Sequence, residues 1–160
     1  MEELGPYRVT GHLGGGRNAR VLSAENLGAP CAIKLFSPSK RRRQRMMRRG
    51  RVDPIDQWRA DFEGEIDLLA SIQHPAIVTI LDRGRTDDGN PYFVMPLYPE
   101  TLAIRLWGTN LPQAVTQPLD GEIVRKILTD ILDGAGEMHR VGIVHRDLKP
   151  QNILMGEDAV

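Results

Sequence analysis

An eight-residue run, His145-Arg146-Asp147-Leu148-Lys149-Pro150-Gln151-Asn152, constrains this chain more than any other feature. Asp147 is an acceptor for a hydroxyl proton. Lys149, two residues on, can steady a transferring phosphoryl group, and Asn152, five residues on from Asp147, can hold a metal ion through its amide oxygen. A charged turn that merely closes a helix has no use for these three groups in this order. The fold must therefore present them together on one loop.

The stretch leading into the run is a helix. From about Asp120 to Arg140, an apolar stripe of Ile123, Ile127 and Ile131 runs with Leu128, Leu132, Ala135 and Met138, and Gly142 suits a C-terminal cap. An earlier helix starts at Asp53 as N-cap, with Pro54 at the first position and Asp56 in the first turn. Its stripe is Ile55, Trp58, Phe62, Ile66 and Leu69, and it stops near His74-Pro75, since a residue before proline is pushed out of helical angles. Strand patterns cover Tyr7–Leu13, a stretch from Val21-Leu22, Cys31–Phe36, Ala76–Leu81 and Tyr92–Met95. Pro96, Pro99, Gly108 and Pro112 mark a loose connector with a short helix around Leu102–Trp107. Five strands with one helix inserted, followed by a mainly helical part, predict an α+β fold.

Three more elements carry chemistry. Leu13-Gly14-Gly15-Gly16 lies between two strands, where backbone N–H groups can approach phosphate oxygens; an ordinary Gly-rich hairpin reads the same way. Lys34 interrupts an otherwise apolar strand, so its ammonium needs a partner or ligand, or must snorkel to water. Glu65 follows Phe62 by three residues and precedes Leu69 by four, which turns it to the buried side of its helix, within reach of Lys34. A solvated Glu at the margin of the stripe is the alternative, and Glu63 is the competing carboxylate, with offsets that point it sideways.

Taken together, these elements resemble the eukaryotic-like serine/threonine protein kinases, and the resemblance covers nearly the whole chain. It implies a five-stranded antiparallel N-lobe (1–95) with one αC-type helix, a hinge and connector (96–118), and the first helices of a helical C-lobe (119–160). It implies ATP and Mg2+ as cofactors. Leu13, Gly14 and Gly16 match the phosphate-covering loop, with Ala19 in place of the third glycine. Val21 and Ala32 match the residues above the adenine, and Leu154 the one below it. Met95 would gate the back pocket, and Pro96 and Tyr98 would offer backbone groups to the base. Lys34 would position phosphates with Glu65 as its partner; Asp147 would be the catalytic base, Lys149 would act on the transferring group, and Asn152 would hold metal. Lys149 at this spot resembles the serine/threonine type. Small-molecule phosphotransferases usually lack the Arg and the Lys-Pro, so Arg146 and Lys149-Pro150 favour a protein substrate.

Charge refines this. The 160 residues balance 21 Lys plus Arg against 21 Asp plus Glu. Eight of the basic side chains crowd into 40–51; without them, 13 basic residues face 21 acidic ones. The basic segment reads as a solvated, mobile insertion, with nucleic-acid or anionic-membrane binding as the alternative. Aromatics at 5% argue against a base-stacking binder. A single cysteine, Cys31, forms no internal disulfide and suits a reducing, cytoplasmic setting. No run approaches the roughly 18 apolar residues of a spanning helix.

The resemblance also implies a metal-binding Asp-Phe-Gly about a dozen residues after Asn152, and Val160 comes first; Asp158 is followed by Ala159 and Val160. The chain alone is therefore expected to transfer little or no phosphate, and a kinase-like binding or regulatory module is the alternative to an enzyme. An Asp-Phe-Gly in the DNA directly downstream, in frame or frameshifted, would separate the two. Robust, Asp147-dependent phosphorylation by the purified 160-residue chain would overturn this expectation.

Overall fold

The computed structural model describes residues 2–48, 52–108 and 119–156. Arg49 and Arg51 of the basic segment, connector residues 109–118, and Asp158 lie outside the described residues. The chain forms two compact units, Met1–Gln73 with Val78–Leu97, and His74–Ile77 with Tyr98–Val160.

The first unit is an antiparallel sheet of six strands. The strands are β1 (Glu3–Leu4), β2 (Tyr7–Gly15), β3 (Ala19–Asn26), β4 (Ala29–Phe36), β5 (Asp82–Arg85) and β6 (Pro91–Pro96), in the order β1-β2-β3-β4-β6-β5. Five strands were expected. Two of the six were not among them: β5, and β1, a two-residue edge pairing Glu3 with Arg8 and Leu4 with Tyr7, too short to show any alternation in sequence. Leu27 and Gly28, both at positive φ (51° and 83°), join β3 to β4, the backbone a two-residue hairpin needs to follow the sheet's twist.

Alternation along β4 sorts its side chains between two faces. Cys31, Ile33 and Leu35 join Leu4, Tyr7, Leu22, Ala24, Tyr92 and Val94 in one core. Ala32, Lys34 and Phe36 face the other way. Against that second face packs α2 (Ile55–Ser71), through buried Trp58, Phe62 and Ile66. The ring centroids of Phe36 and Phe62 lie 5.7 Å apart, and those of Phe62 and Phe93 6.1 Å. The helix starts one residue later than expected. Pro54 takes the cap position, yet Asp53 still caps, its Oδ1 accepting from the Ile55 N–H at 3.2 Å.

Two expectations change here. The apolar run Ala76–Leu81 is not a strand. His74–Ile77 is a turn, closed by the Ile77 N–H donating to the His74 carbonyl at 3.0 Å, and it packs on Gly134 of the second unit; sheet pairing begins only where the Leu81 N–H meets the Val94 carbonyl at 2.8 Å. Within the run, Ala76 meets Gly134 and Leu81 is 57% exposed. The basic segment, expected as a mobile insertion, forms a helix, α1 (Lys40–Met47), capped by Ser39.

The second unit is built on α4 (Gly121–Arg140), N-capped by Asp120 and ended by Gly142 at φ 79°. It packs on α3 (Leu102–Trp107) and on the pair β7 (Glu100–Thr101) and β8 (Leu154–Met155). Leu102, Ile127 and Met155 form its core, with Ile123, Ile131 and Ile153 around them. Leu128 and Leu132, placed in the same stripe by sequence, are 53% and 70% exposed. They belong to the neighbouring row of the helix with Val124, about 100° round from the covered row.

Two glycines of the first unit should respond oppositely to a methyl group. A Cβ on Gly64, in the middle of α2, meets nothing within 4 Å; one on Gly84 would sit 2.5 Å from the Tyr92 hydroxyl. Gly64→Ala should stabilise by about 0.5–1 kcal/mol through helix propensity. Gly84→Ala should destabilise by about 1–3 kcal/mol through overpacking. Denaturant unfolding of both variants checks the two signs.

Candidate functional site

Register decides what surrounds Lys34. It stands opposite Val21 on β3 and Phe93 on β6, while Ala32 stands opposite Met95. Directly opposed residues share a face, so Val21, Ala32, Lys34, Phe93 and Met95 all lie on the side that α2 covers. The Lys34 Nζ donates to Glu65 Oε1 at 2.5 Å. It also lies 5.9 Å from the Phe62 ring centroid and 5.8 Å from that of Phe93. The pair is half-open, with side-chain exposures of 28% and 40%. Such a pair contributes on the order of 0–1 kcal/mol, so it does more to aim the ammonium than to hold the fold. Phe62 was read from sequence as part of the apolar stripe, not as a neighbour of Lys34, and Phe93 could not be placed there because its signal is a strand register.

Glu63, the competing carboxylate, points elsewhere and pairs with Arg85, while Arg83 pairs with Asp67 at 2.9 Å. These pairs line a cavity of about 580 Å³ between α2 and the β5–β6 edge. Its charges are already partnered, and it holds none of the expected site residues.

The glycine-rich turn is narrower than its sequence. β2 runs through Gly15 and β3 begins at Ala19, closed by the Gly16 N–H donating to the Ala19 carbonyl at 2.9 Å. A Cβ on Gly15 would come within 3.0 Å of that same Ala19 oxygen, whereas one on Gly14 or Gly16 would meet nothing within 4 Å. The steric demand of the turn thus falls on Gly15, which sequence matching passed over, and Gly14 and Gly16 leave open backbone that an anion can approach. Leu13 is exposed beside them, and Val21 is half-buried. Met95 is buried and Pro96 ends β6.

The second unit carries the remaining expected residues. Arg146 sits in the left-handed region at φ 61°, a conformation that costs a non-glycine residue on the order of 1 kcal/mol and turns the chain sharply just before Asp147. The Asp147 N–H donates to His145 Nδ1 at 3.3 Å. Its carboxylate Oδ2 accepts from Lys149 Nζ at 2.7 Å and from Asn152 Nδ2 at 3.0 Å, and Asn152 Nδ2 also reaches the Asp147 carbonyl at 2.8 Å. The Lys149 ammonium first, and the Asn152 amide second, hold the Asp147 carboxyl below the usual carboxylate range. Asp147 Oδ1 has no hydrogen bond among the described residues, and the Asn152 amide is oriented so that its oxygen is left for another ligand. That amide oxygen is a hard donor of the kind Mg2+ takes, and it leaves Asp147 Oδ1 for a different partner. Leu154 pairs with Thr101 and is half-buried; Tyr98 is half-buried as well. No cluster of three or more His, Cys, Asp or Glu side chains able to hold a metal occurs among the described residues. No helix among them is long and apolar enough to cross a membrane.

The protein kinase domain model matches residues 7–160. The chain is 27% identical over 158 residues to a probable serine/threonine-protein kinase PkwA of Thermomonospora curvata, covering 97% of this chain and 18% of that protein. It is 35% identical over 95 residues to the mitogen-activated protein kinase mpkC of Aspergillus niger, covering 59% of this chain and 22% of that protein. The chain thus spans about a fifth of the length of these curated relatives.

Because Lys149 is the main cause of the depressed Asp147 titration, Lys149→Met should move that titration up toward the ordinary carboxylate range. Both forms carry an ionised Asp147 at neutral pH, so the difference appears only in acid. A carbon-detected NMR titration of the carboxyl carbon reads it, and an unmoved midpoint would show that the pair does not form in solution.

Proposed function

The chain belongs to the protein kinase family, and from that premise we propose that its residues serve ATP-dependent phosphoryl transfer to serine and threonine hydroxyls of proteins. The observation that carries this reading is the convergence of Lys149 and Asn152 on the Asp147 carboxylate. The serine/threonine preference rests on Lys149 two residues after Asp147, and is the type named for the Thermomonospora relative.

The division of labour follows from the residues. In the first unit, the open space beside Gly14 and Gly16 lets the nucleotide phosphates approach the backbone of the turn, and Lys34, aimed by Glu65, supplies a fixed positive charge to them. Val21, Ala32 and Met95 offer an apolar face to the base, with the backbone of Pro96 and Tyr98 and the side chain of Leu154 assigned to it as well. In the second unit, Asn152 would hold Mg2+ through its amide oxygen, and that ion, when bound, neutralises phosphate charge. Asp147 Oδ1 accepts the hydroxyl proton of the substrate. As the hydroxyl oxygen bonds to the γ-phosphorus, the bond from that phosphorus to the β-bridging oxygen breaks and ADP leaves. A carboxylate held below its usual range is a weak base, so Asp147 mainly orients the hydroxyl and takes its proton late, as suits a loose transition state. Lys149 meets the charge on the transferring group.

Titration of the chain with magnesium-ATP, followed by calorimetry, tests the nucleotide half. Lys34→Met should weaken binding by about 10- to 100-fold, the value of a charge-assisted hydrogen bond. Equal binding by the variant and the original would sink the reading. In the natural protein that carries this sequence, Asp147→Asn should lower transfer by about 10²–10⁴-fold. Nucleotide affinity with no Asp147-dependent transfer there would point instead to a kinase-like binding module.

A further inference from the structure

Helix α1 is tied to the first unit along one side only. The Arg42 guanidinium lies 4.3 Å over the Trp58 ring and donates to Asn18 Oδ1 at 2.7 Å, and Arg43 grips both carboxylate oxygens of Asp53. The opposite side carries Arg41, Arg45 and Arg48, at positions i, i+4 and i+7, with Gln44 between them. All four are exposed and line a shallow groove of about 310 Å³. Among the described residues, none of these three arginines has an ion pair.

That arrangement opposes the helix that carries it. No acidic residue sits in the first turn, so the positive end of the helix dipole meets positive side chains, and Arg41 and Arg45 repel one another at i,i+4. A bound anion would relieve both. We propose that this arginine stripe is a docking surface for an acidic segment of a protein, and that such a segment recruits the substrate; the choice of a protein partner rests on the kinase reading above. Helical rise separates the arginines by about 6 Å and 4.5 Å along the axis. Alternate side chains of an extended peptide repeat every ~6.6 Å on one side, close enough for flexible guanidinium groups to meet carboxylates at every second residue. Forked guanidinium donors suit carboxylates, and Gln44 can hydrogen-bond the peptide backbone. Arg41, Gln44, Arg45 and Arg48 are all polar, and Met47, 49% exposed, is the one exposed large apolar side chain of α1, too little to make the apolar face of a membrane-surface helix. The rest of the chain, 13 basic against 21 acidic residues, repels an extended polyanion such as duplex DNA, but not a segment short enough to stay within a Debye length of about 10 Å of the stripe.

The test is fluorescence anisotropy of a labelled seven-residue peptide with glutamate at alternate positions, titrated with the full chain at about 0.1 M salt. Arg41→Ala, Arg45→Ala and Arg48→Ala together should weaken binding at least tenfold, with an unchanged melting curve, while the same three positions as Lys should retain part of the affinity. If the triple alanine variant does not fold, Arg45→Glu replaces it and the same tenfold loss is expected. No binding of the peptide, or equal binding by the variants, overturns the proposal. So does tighter binding, through these arginines, of a short DNA duplex or of phosphatidylserine-containing vesicles at the same salt. Magnesium-ATP titrated into the same samples separates the two readings. Retained nucleotide binding without peptide binding defeats the docking surface alone; loss of nucleotide binding with peptide binding intact defeats the kinase reading.

Discussion

An ammonium group on an interior strand is the constraint from which the first unit follows. β4 lies between β3 and β6, so neither of its edges is open to water, and its side chains have only two faces to occupy. Alternation commits Ile33 and Leu35 to one core and leaves Lys34 on the other face with Phe36. A charge there cannot be covered by apolar residues alone without a penalty of several kcal/mol. The chain covers Phe36 with the Trp58-Phe62-Ile66 row of α2 and meets Lys34 with Glu65, from the adjacent position on the same helix. Placement of the helix and placement of the charge are thus one packing solution. Because the pair is half-open, its net stability is small, and what it secures is direction.

The second unit solves a different problem, that of assembling polar groups on a loop with no sheet to hold them. It does so by local bonding. The left-handed turn at Arg146, the His145 ring under the Asp147 N–H and the Asn152 amide on the Asp147 carbonyl tie residues 145–152 into a closed unit. The short helix of Pro150–Asn152 and the β7–β8 pair then anchor its far end to Leu102 and Met155. A cation and an amide converging on one carboxylate oxygen keep that carboxylate ionised and leave its other oxygen free, which is what a proton acceptor for a bound hydroxyl needs.

How much of this was legible in the sequence depended on the range of the interactions. Asp147, Lys149 and Asn152 were legible because the whole cluster spans six residues. Lys34 and Glu65 lie 31 positions apart, yet each carried a local anomaly, a charge in an apolar strand and a carboxylate on an apolar stripe. What stayed hidden depended on register or on distant neighbours. Phe93 beside Lys34 requires the β4–β6 alignment, and Gly15 is distinguished from Gly14 and Gly16 only by where the Ala19 carbonyl lies. The run at 76–81 misled because an apolar run reads the same whether or not a neighbouring strand aligns with it. Leu128 and Leu132 misled because a stripe read from spacing says nothing about how much of it a neighbour covers.

The basic helix shows why charge counts alone misjudge such a segment. Eight basic side chains in twelve positions read as solvated chain, since like charges at helical spacing repel. Two of them change the balance. Arg42 laid on Trp58 buries its aliphatic stem against an aromatic face, and Arg43 converts Asp53 from a lone helix cap into half of a forked ion pair. Both contacts reach the start of α2, so the basic segment and the helix that carries Glu65 share their anchoring residues. The other described arginines of the segment, Arg41, Arg45 and Arg48, fall on the outer side because the helical period allows no other arrangement. Once positions 42 and 43 are turned inward, positions 41, 45 and 48 must be turned out together.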